Sequence, residues 1–235
     1  VAVVEVLLDA NVPVAGLEID IQPEFLIEGE GEINIGPEIA EFFGAINAIE
    51  HLEFDVSSNT DGEGVTTVLV FSVSGATISP GEIRIFDLAY QLDPEVPPST
   101  WIDLVTFDVI VGDPEEQEIP NSVDDGTIHT GIPGDVAGGG DGGDGIVNVI
   151  DLIKEIKYIL GTLPLINPDD FDEPQDEEEE AFQERMAFLF FLADLNGDSV
   201  VNILDVVEII NLILGIEDPP QMKVTSADPA VIRFD

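Results

Sequence analysis

One segment of this chain occurs twice. Asp144-Gly-Ile-Val-Asn-Val-Ile-Asp-Leu-Ile, running on to Ile159-Leu-Gly161, returns at an offset of 54 residues as Asp198-Ser-Val-Val-Asn-Ile-Leu-Asp-Val-Val, running on to Ile213-Leu-Gly215. A duplicated unit implies two equivalent sites. What it repeats is a set of oxygen donors. In the second copy Asp194, Asn196, Asp198, Asn202 and Asp205 stand at positions 1, 3, 5, 9 and 12 of a twelve-residue loop.

That is the spacing of an EF-hand-type calcium loop, with Asp where Glu usually closes it. Calcium takes six to eight hard oxygens at ~2.3–2.6 Å. Alternate residues of a tight loop turn three side-chain oxygens inward, the Val200 carbonyl adds a fourth, and Asp205, in the first turn of the following helix, closes the shell. Ser199 stands where such loops prefer Gly, which puts some strain on the turn. In the first copy Asp144, the Ile146 carbonyl, Asn148 and Asp151 keep their places, but counting back from Asp151 puts Gly140 and Gly142 at positions 1 and 3. Two repairs fit. Asp141 swings in from the neighbouring position, or the loop starts at Gly134-Asp135-Val136 and the glycines are an insertion. Two Ca2+ sites are expected, the second loop being the more regular. The competing reading is that these Asp and Asn residues only cap helices and fill turns. Five donors in register, with a second copy, favour the metal.

Helical periodicity follows each loop, over Val149–Leu160 and Ile203–Leu214, with a third helix at about Glu177–Leu192. In Ile203–Leu214 the polar residues Asp205, Glu208 and Asn211 are three apart and form one narrow stripe; the rest is Ile, Leu and Val. The first helix gathers Asp151, Lys154, Glu155 and Lys157 on one side. A unit of about 85 residues has difficulty covering two such helices. Either Phe182, Phe188, Phe190 and Phe191 cover them from inside, or at least one faces a partner, with Val206, Val207, Ile210, Ile213 and Leu214 as the binding residues.

Ahead of this part the pattern is β. Leu17-Glu-Ile-Asp-Ile-Gln alternates apolar and polar, as a half-buried strand does. Further strand-like runs are Val1–Val6, Ile33–Ile35, Ala48–Val56, Val65–Val73, Glu82–Leu92, Trp101–Val111 and Gly126–Thr130; a short helix fits near Pro37–Phe43. Turn signals at Ser57–Gly62, Ser79-Pro-Gly, Asp93-Pro and Gly112-Asp-Pro separate them. About nine short strands make an antiparallel sandwich. Gly131–Gly145 holds eight glycines and reads as a hinge running into a loop. The organisation expected is a β-sandwich over 1–130, a small all-α unit with two calcium loops and an acidic insert over 131–218, and an extended tail over 219–235. In the tail Val231-Ile-Arg-Phe is able to add a strand to a neighbouring sheet edge; the alternative is a frayed end.

Charge narrows the partners. Fifty Asp and Glu against six Lys and Arg give −44, which excludes nucleic acid and disfavours anionic membranes. Cations, a salty medium, or both are favoured; salt adaptation accounts for the acidity equally well. With no cysteine there are no disulfides or thiolate sites. No apolar run reaches the ~18–20 residues of a membrane helix. His51 and His129 lie in or beside strand-like runs without metal or triad spacing and read as structural. Trp101, Tyr90 and Tyr158 are unclustered, so packing is favoured over sugar stacking. Asp169–Glu180 reads as a solvated acidic loop entering a helix.

Ala193-Asp-Leu-Asn-Gly-Asp-Ser-Val-Val-Asn-Ile-Leu-Asp and Gly143-Asp-Gly-Ile-Val-Asn-Val-Ile-Asp resemble dockerin, the calcium-dependent docking module of two loop-helix units. The resemblance covers about residues 134–216, with departures at Ser199, in the first loop and in the insert. Val14–Ile21, Val68–Gly75, Ile78–Ile83 and Glu118–Ile128 are similar to cohesin, the nine-stranded jelly-roll sandwich that receives dockerin on a sheet face. Together the resemblances imply a multi-domain, non-enzymatic, calcium-dependent assembly protein outside the cell or on its surface. The sandwich of one copy would bind the helical module of another, head to tail, as a filament or scaffold; pairing within one chain is the closed variant. The alternative is an attachment module of a larger secreted enzyme or carbohydrate-binding protein, and a carbohydrate partner stays open as a third reading.

Overall fold

The computed structural model describes residues 1–26, 33–35, 40–93, 96, 100–115, 117–138, 143–165, 176–216, 223–228 and 230–234. The chain forms two compact units. One comprises Val1–Val96, Trp101–Ile128 and Asp228–Asp235; the other comprises Pro97–Thr100 and His129–Ala227.

The first unit is a two-sheet β-sandwich. One sheet is ordered β4 (Ala40–Asn47), β7 (Gly81–Leu92), β1 (Ala2–Ala10), β12 (Ala230–Phe234), β9 (Asn121–Asp124). The facing sheet runs β10 (Gly126–Gly131), β8 (Trp101–Gly112), β2 (Gly16–Leu26), β6 (Thr66–Phe71), β5 (Asp55–Thr60), with β3 (Ile33–Ile35) also on β2. Strand alternation builds the core. Val4, Val6 and Leu8 of β1 and Ile19 and Ile21 of β2 are fully buried, while Glu5, Leu7 and Asp20 between them are not. Arg84 ties the outer side of the first sheet by bonding Asp87 and Glu5.

Local reading and structure differ at three places. The stretch expected to be helical near 37–43 is strand β4 from Ala40 onward, held in antiparallel register with β7 from Ala40↔Leu92; residues 37–39 lie outside the described residues. Ala48–Val56 is not one strand. The Asn47 side-chain oxygen accepts from Ile49 N at 2.9 Å, a 3-10 turn spans Glu50–Leu52, and Glu53 adopts φ 66°, which reverses the chain around the buried Ile49 and Phe54. The turn expected at Ser57–Gly62 comes later. Ser57–Thr60 belong to β5, paired with β6, and the reversal is made by Asp61, whose Oδ1 accepts from Glu63 N and Val65 N. At β4 and β5 pairing with a neighbouring strand outweighs local preference.

The second unit carries α1 (Val149–Ile159), α2 (Asp176–Ala193), α3 (Ile203–Ile213) and β11 (Lys223–Asp228). The glycine-rich stretch is not a hinge where it is described: Gly131, Pro133, Gly134, Asp135, Val136 and Ala137 are all buried. A Cβ on Gly131 would stand 2.8 Å from Phe188 Cζ and from Leu192 Cδ2, so only glycine admits α2 this closely. Val231-Ile-Arg-Phe of the tail is neither a frayed end nor an edge strand, since β12 lies inside the first sheet. Among the described residues no helix is long and apolar enough to cross a membrane.

Candidate functional site

The two loops are built alike. Asn148 and Asn202 are the N-caps of α1 and α3, with φ/ψ of −147°/−171° and −148°/−171°. Their side-chain oxygens accept from Ile150 N and Leu204 N, and Asp151 and Asp205 return a bond to the N-cap N–H, completing a capping box in each copy. Both helices stop at a left-handed glycine, Gly161 and Gly215, each at φ 64°. The Asn Nδ2 groups donate to the Ile146 and Val200 carbonyls at 2.9 and 2.8 Å. The side-chain oxygens of Asn148 and Asn202, expected as ligands, each hold a helix end as well.

The start of each loop follows the same logic. In the second loop Asp194 accepts from Asp198 N at 3.1 Å and Ser199 N at 2.8 Å, Asn196 Oδ1 also accepts from Asp198 N, and Asp205 Oδ1 accepts from Asn196 N. In the first loop the residue making the bonds of Asp194 is Asp135, which accepts from Asp144 N at 3.0 Å and Gly145 N at 2.6 Å. Asp151 Oδ1 meanwhile takes Val136 N and Ala137 N. Gly143 and Gly145 have positive φ where Gly197 and Ser199 do, so Ser199, at φ 66°, carries the anticipated strain. The structure thus places Asp135 at the head of the first loop; Asp141, Gly140 and Gly142 lie outside the described residues.

The electrostatics are one-sided. From Gly131 to Ile153, and from Met186 to Met222, the sequence has no Lys or Arg. Asp135 is fully buried, and that burial, with the charges of Asp151 and Asp144, pushes its carboxyl up to about 6 against the two N–H bonds that favour ionisation. Glu155, one turn beyond Asp151, is also fully buried, and neither carboxylate oxygen has a hydrogen-bond partner among the described residues. Burial first, then the charges of Asp205 and Asp151, push it up to about 8. Among the described residues no three acidic or histidine side chains gather to hold a metal unaided. The donors of each loop are nevertheless all hard oxygens, and a buried carboxylate without a cation invites one.

The helix faces are inverted. In α1 the buried residues are Asp151 and Glu155, while Ile150, Ile153, Ile156 and Ile159 are exposed. In α3, Asp205, Val206 and Ile209 are buried, while Leu204, Val207, Ile210 and Ile213 are exposed. Ile146, Val149 and Leu160, like Val200, Ile203 and Leu214, extend the stripes, giving seven exposed apolar pairs at the offset of 54. Of the five binding residues expected, Val206 is corrected: at 3% exposure it faces its own unit, because it neighbours Asp205 on the packed side. The first helix, read as similar to the second, exposes the matching residues Ile150, Ile153, Ile156 and Ile159, which the five did not include. Phe188 is buried and meets His129 edge-on at 5.3 Å, but Phe191 remains exposed, so the aromatics do not cover the stripes. His51 is exposed, and Tyr90 is buried edge-on to Phe42, away from any sugar.

Residues 192–229 match the dockerin type I domain family; the match takes in the second loop, α3 and β11. No curated protein matches the chain. Solved structures similar to it include the sixth cohesin of Acetivibrio cellulolyticus scaffoldin B in complex with a dockerin, at 8% identity, covering 54% of this chain and 97% of that one, with a TM-score of 0.37. A non-cellulosomal cohesin from the archaeon Archaeoglobus fulgidus gives 7%, 51% and 84%, with a TM-score of 0.33. A type I cohesin–dockerin complex from Clostridium thermocellum gives 11%, 49% and 85%, with a TM-score of 0.34. Residues 192–229 are thus similar to a dockerin type I domain.

Proposed function

We propose that this is a non-enzymatic assembly protein of the cell exterior, in which calcium sets the two loops and the exposed helix stripes of one copy dock on the sandwich of another. The observation that carries the reading is the exposed apolar stripe repeated in both copies, seven matching pairs of isoleucine, leucine and valine, beside a buried Asp151 or Asp205. Water gives no support to such stripes, and contiguous exposed apolar surface marks a binding face. The receiving surface is the outward side of β8-β2-β6-β5. There Leu69, Phe71 and Ile110 stand exposed around Gly16, in rows fixed by the pairs Gly16↔Phe71, Glu18↔Leu69 and Glu18↔Ile110.

The first calcium would be held by Asp135, Asp144, the Ile146 carbonyl and Asp151, and the second by Asp194, Asn196, Asp198, the Val200 carbonyl and Asp205. Asn148 and Asn202 contribute through water, as that loop position often does. The ion supplies the positive charge that these stretches lack. The aspartates hold the loop N–H groups in place and start each helix, so ion-binding energy becomes folding energy of the unit. Stripe-to-sandwich contact between copies is head-to-tail and propagates as a filament unless the rotation closes a ring. Millimolar calcium outside cells suits such a site.

The test is sedimentation and negative-stain microscopy of the purified chain in calcium and in chelator, with circular dichroism at 222 nm. Calcium is expected to give long particles and full helicity, and chelator or the Asp198→Ala/Asp205→Ala variant to lose both. Identical particle size and helicity in the two conditions would sink the reading.

A further inference from the structure

The chain contains one Asn-Gly dipeptide, Asn196-Gly197, and it stands inside the second loop. Every other asparagine is followed by Val, Ile, Ala, Thr, Ser, Pro or Leu, and in the first copy the offset of 54 places Gly142 where Asn196 stands. The dipeptide matters because the backbone nitrogen that follows an asparagine is able to attack the amide carbon of its side chain. The Cβ of the following residue obstructs that approach, and glycine has none.

The structure leaves all three reacting groups ready. Gly197 is exposed at φ 71°, open space surrounds the position a Cβ would take, and its N–H makes no hydrogen bond among the described residues. The nucleophile is therefore open to solvent base. Asn196 Oδ1 accepts from Asp198 N at 2.8 Å. That bond turns the side chain forward along the main chain past Gly197 N, and it draws electron density from Cγ, the carbon to be attacked. Asn196 Nδ2, the leaving nitrogen, has no hydrogen-bond partner among the described residues, so nothing holds it in place.

We propose that Asn196-Gly197 is a self-modification site, at which the folded chain closes a ring and releases ammonia. Gly197 N loses its proton to hydroxide and bonds to Asn196 Cγ; the Cγ–Nδ2 bond breaks, and Nδ2 takes up a proton and leaves as ammonia. The product is a five-membered succinimide. Water then opens it. Addition at Cγ leaves an aspartate at this position, and addition at the main-chain carbonyl leaves isoaspartate, whose backbone runs through the former side chain. No oxidant, reductant or second protein enters the balance.

The two products act in opposite directions on the loop. Aspartate adds a carboxylate to Asp194, Asp198 and Asp205, in a stretch without Lys or Arg, and ligand charge raises the calcium affinity of such loops. Isoaspartate adds one main-chain carbon between Asn196 N and Asp198 N, the amides that bond Asp205 and Asp194, and takes them out of register. The modification itself does not rest on the calcium reading above; its effect on affinity does.

The test follows the full-length chain in mildly alkaline buffer with chelator, sampled over days beside the same chain in urea. The peptide carrying residue 196 is expected to gain about 1 Da and to become a substrate for isoaspartyl methyltransferase, ahead of every other asparagine. Its rate in the folded chain should lie within about tenfold of the rate in urea. Asn196→Gln, which would need a six-membered ring, should stay unmodified. A folded-state rate more than about tenfold below that in urea, or no greater than that of the exposed Asn11, overturns the proposal. Calorimetric titration of the aged chain then reads the effect on calcium. Mass and methyl transfer are read without the metal, so a chain that modifies as expected but binds no calcium refutes the calcium reading and leaves this one standing.

Discussion

Replacing Glu155 with Ile should make the helical unit markedly more stable in chelator. Glu155 is fully buried, with both carboxylate oxygens unpartnered, and the repeat places the fully buried Ile209 at the equivalent position of α3. Removing an unsatisfied buried polar group recovers about 1–3 kcal/mol. Burying an isoleucine in its place adds a further ~1.5–3 kcal/mol of transfer energy, less whatever misfit of shape remains. A net gain of about 3 kcal/mol is therefore expected, and with a urea slope of about 1.5 kcal/mol/M the midpoint rises by about 2 M. Urea titration followed at 222 nm reads this directly, since α1, α2 and α3 all lie in this unit. The pH dependence supplies a second check. The folded-state value is raised from 4.5 to about 8, so between these limits the folded wild type keeps a proton that the unfolded chain has released. Wild-type stability contributed by this group therefore falls as pH rises from 4.5 to about 8, while the variant has nothing there to titrate. The gap between the two should be smallest near the lower limit and largest at or above the upper one. A variant no more stable than wild type at pH 8, or a gap that stays level across the range, would show that Glu155 is not the buried, unpaired group described.

Three further outcomes follow from the same geometry. Asp205→Ala removes half of the α3 capping box and the bond to Asn196 N, so even in chelator it should cost about 1–2 kcal/mol in a thermal or urea melt; calorimetric titration should also show weakened calcium binding. The double variant Ile156→Asp/Ile210→Asp alters only exposed positions, so the melt should move by less than about 0.5 kcal/mol. Sedimentation in calcium should then show self-association weakened by about tenfold or more, a loss of about 1.4 kcal/mol. Gly131→Ala forces a methyl against Phe188 and Leu192 and should destabilise the helical unit by about 1–3 kcal/mol, read from the thermal midpoint at 222 nm.

The repeat was the most legible part of the sequence because it is written in local chemistry. Asn148 and Asn202 cap, Asp151 and Asp205 answer three residues later, and Gly161 and Gly215 stop the helices, all within a dozen or so residues. Periodicity located α1 and α3 for the same reason, although it did not say which side faces inward. Both helices expose an apolar stripe, and in α1 the buried side is Asp151 and Glu155, while in α3 Val206 and Ile209 join Asp205 there. Asp135 was visible as an option, but spacing alone did not choose it over Asp141; its bonds to Asp144 N and Gly145 N span an insertion that no count along the chain resolves. Strand β2 reads directly from alternation, and β6, β7 and β8 from strand-like runs bounded by turn signals. β4 and β5 did not, because their conformation is imposed by β7 and β6. The seat of β12 was the least legible, since its parallel partner β1 lies at the opposite end of the sequence.

That seat has a consequence for how the protein is made. At ribosomal speeds of about 5–20 residues per second, the hundred or so residues between β9 and β12 take roughly 5–20 s to emerge. Throughout that time the nascent sandwich waits with its middle row missing. Emergence of β12, and not the appearance of the first hundred residues, is the event that finishes it. A chain cut short before Ala230 would therefore keep its loops and helices and carry an unfinished sheet.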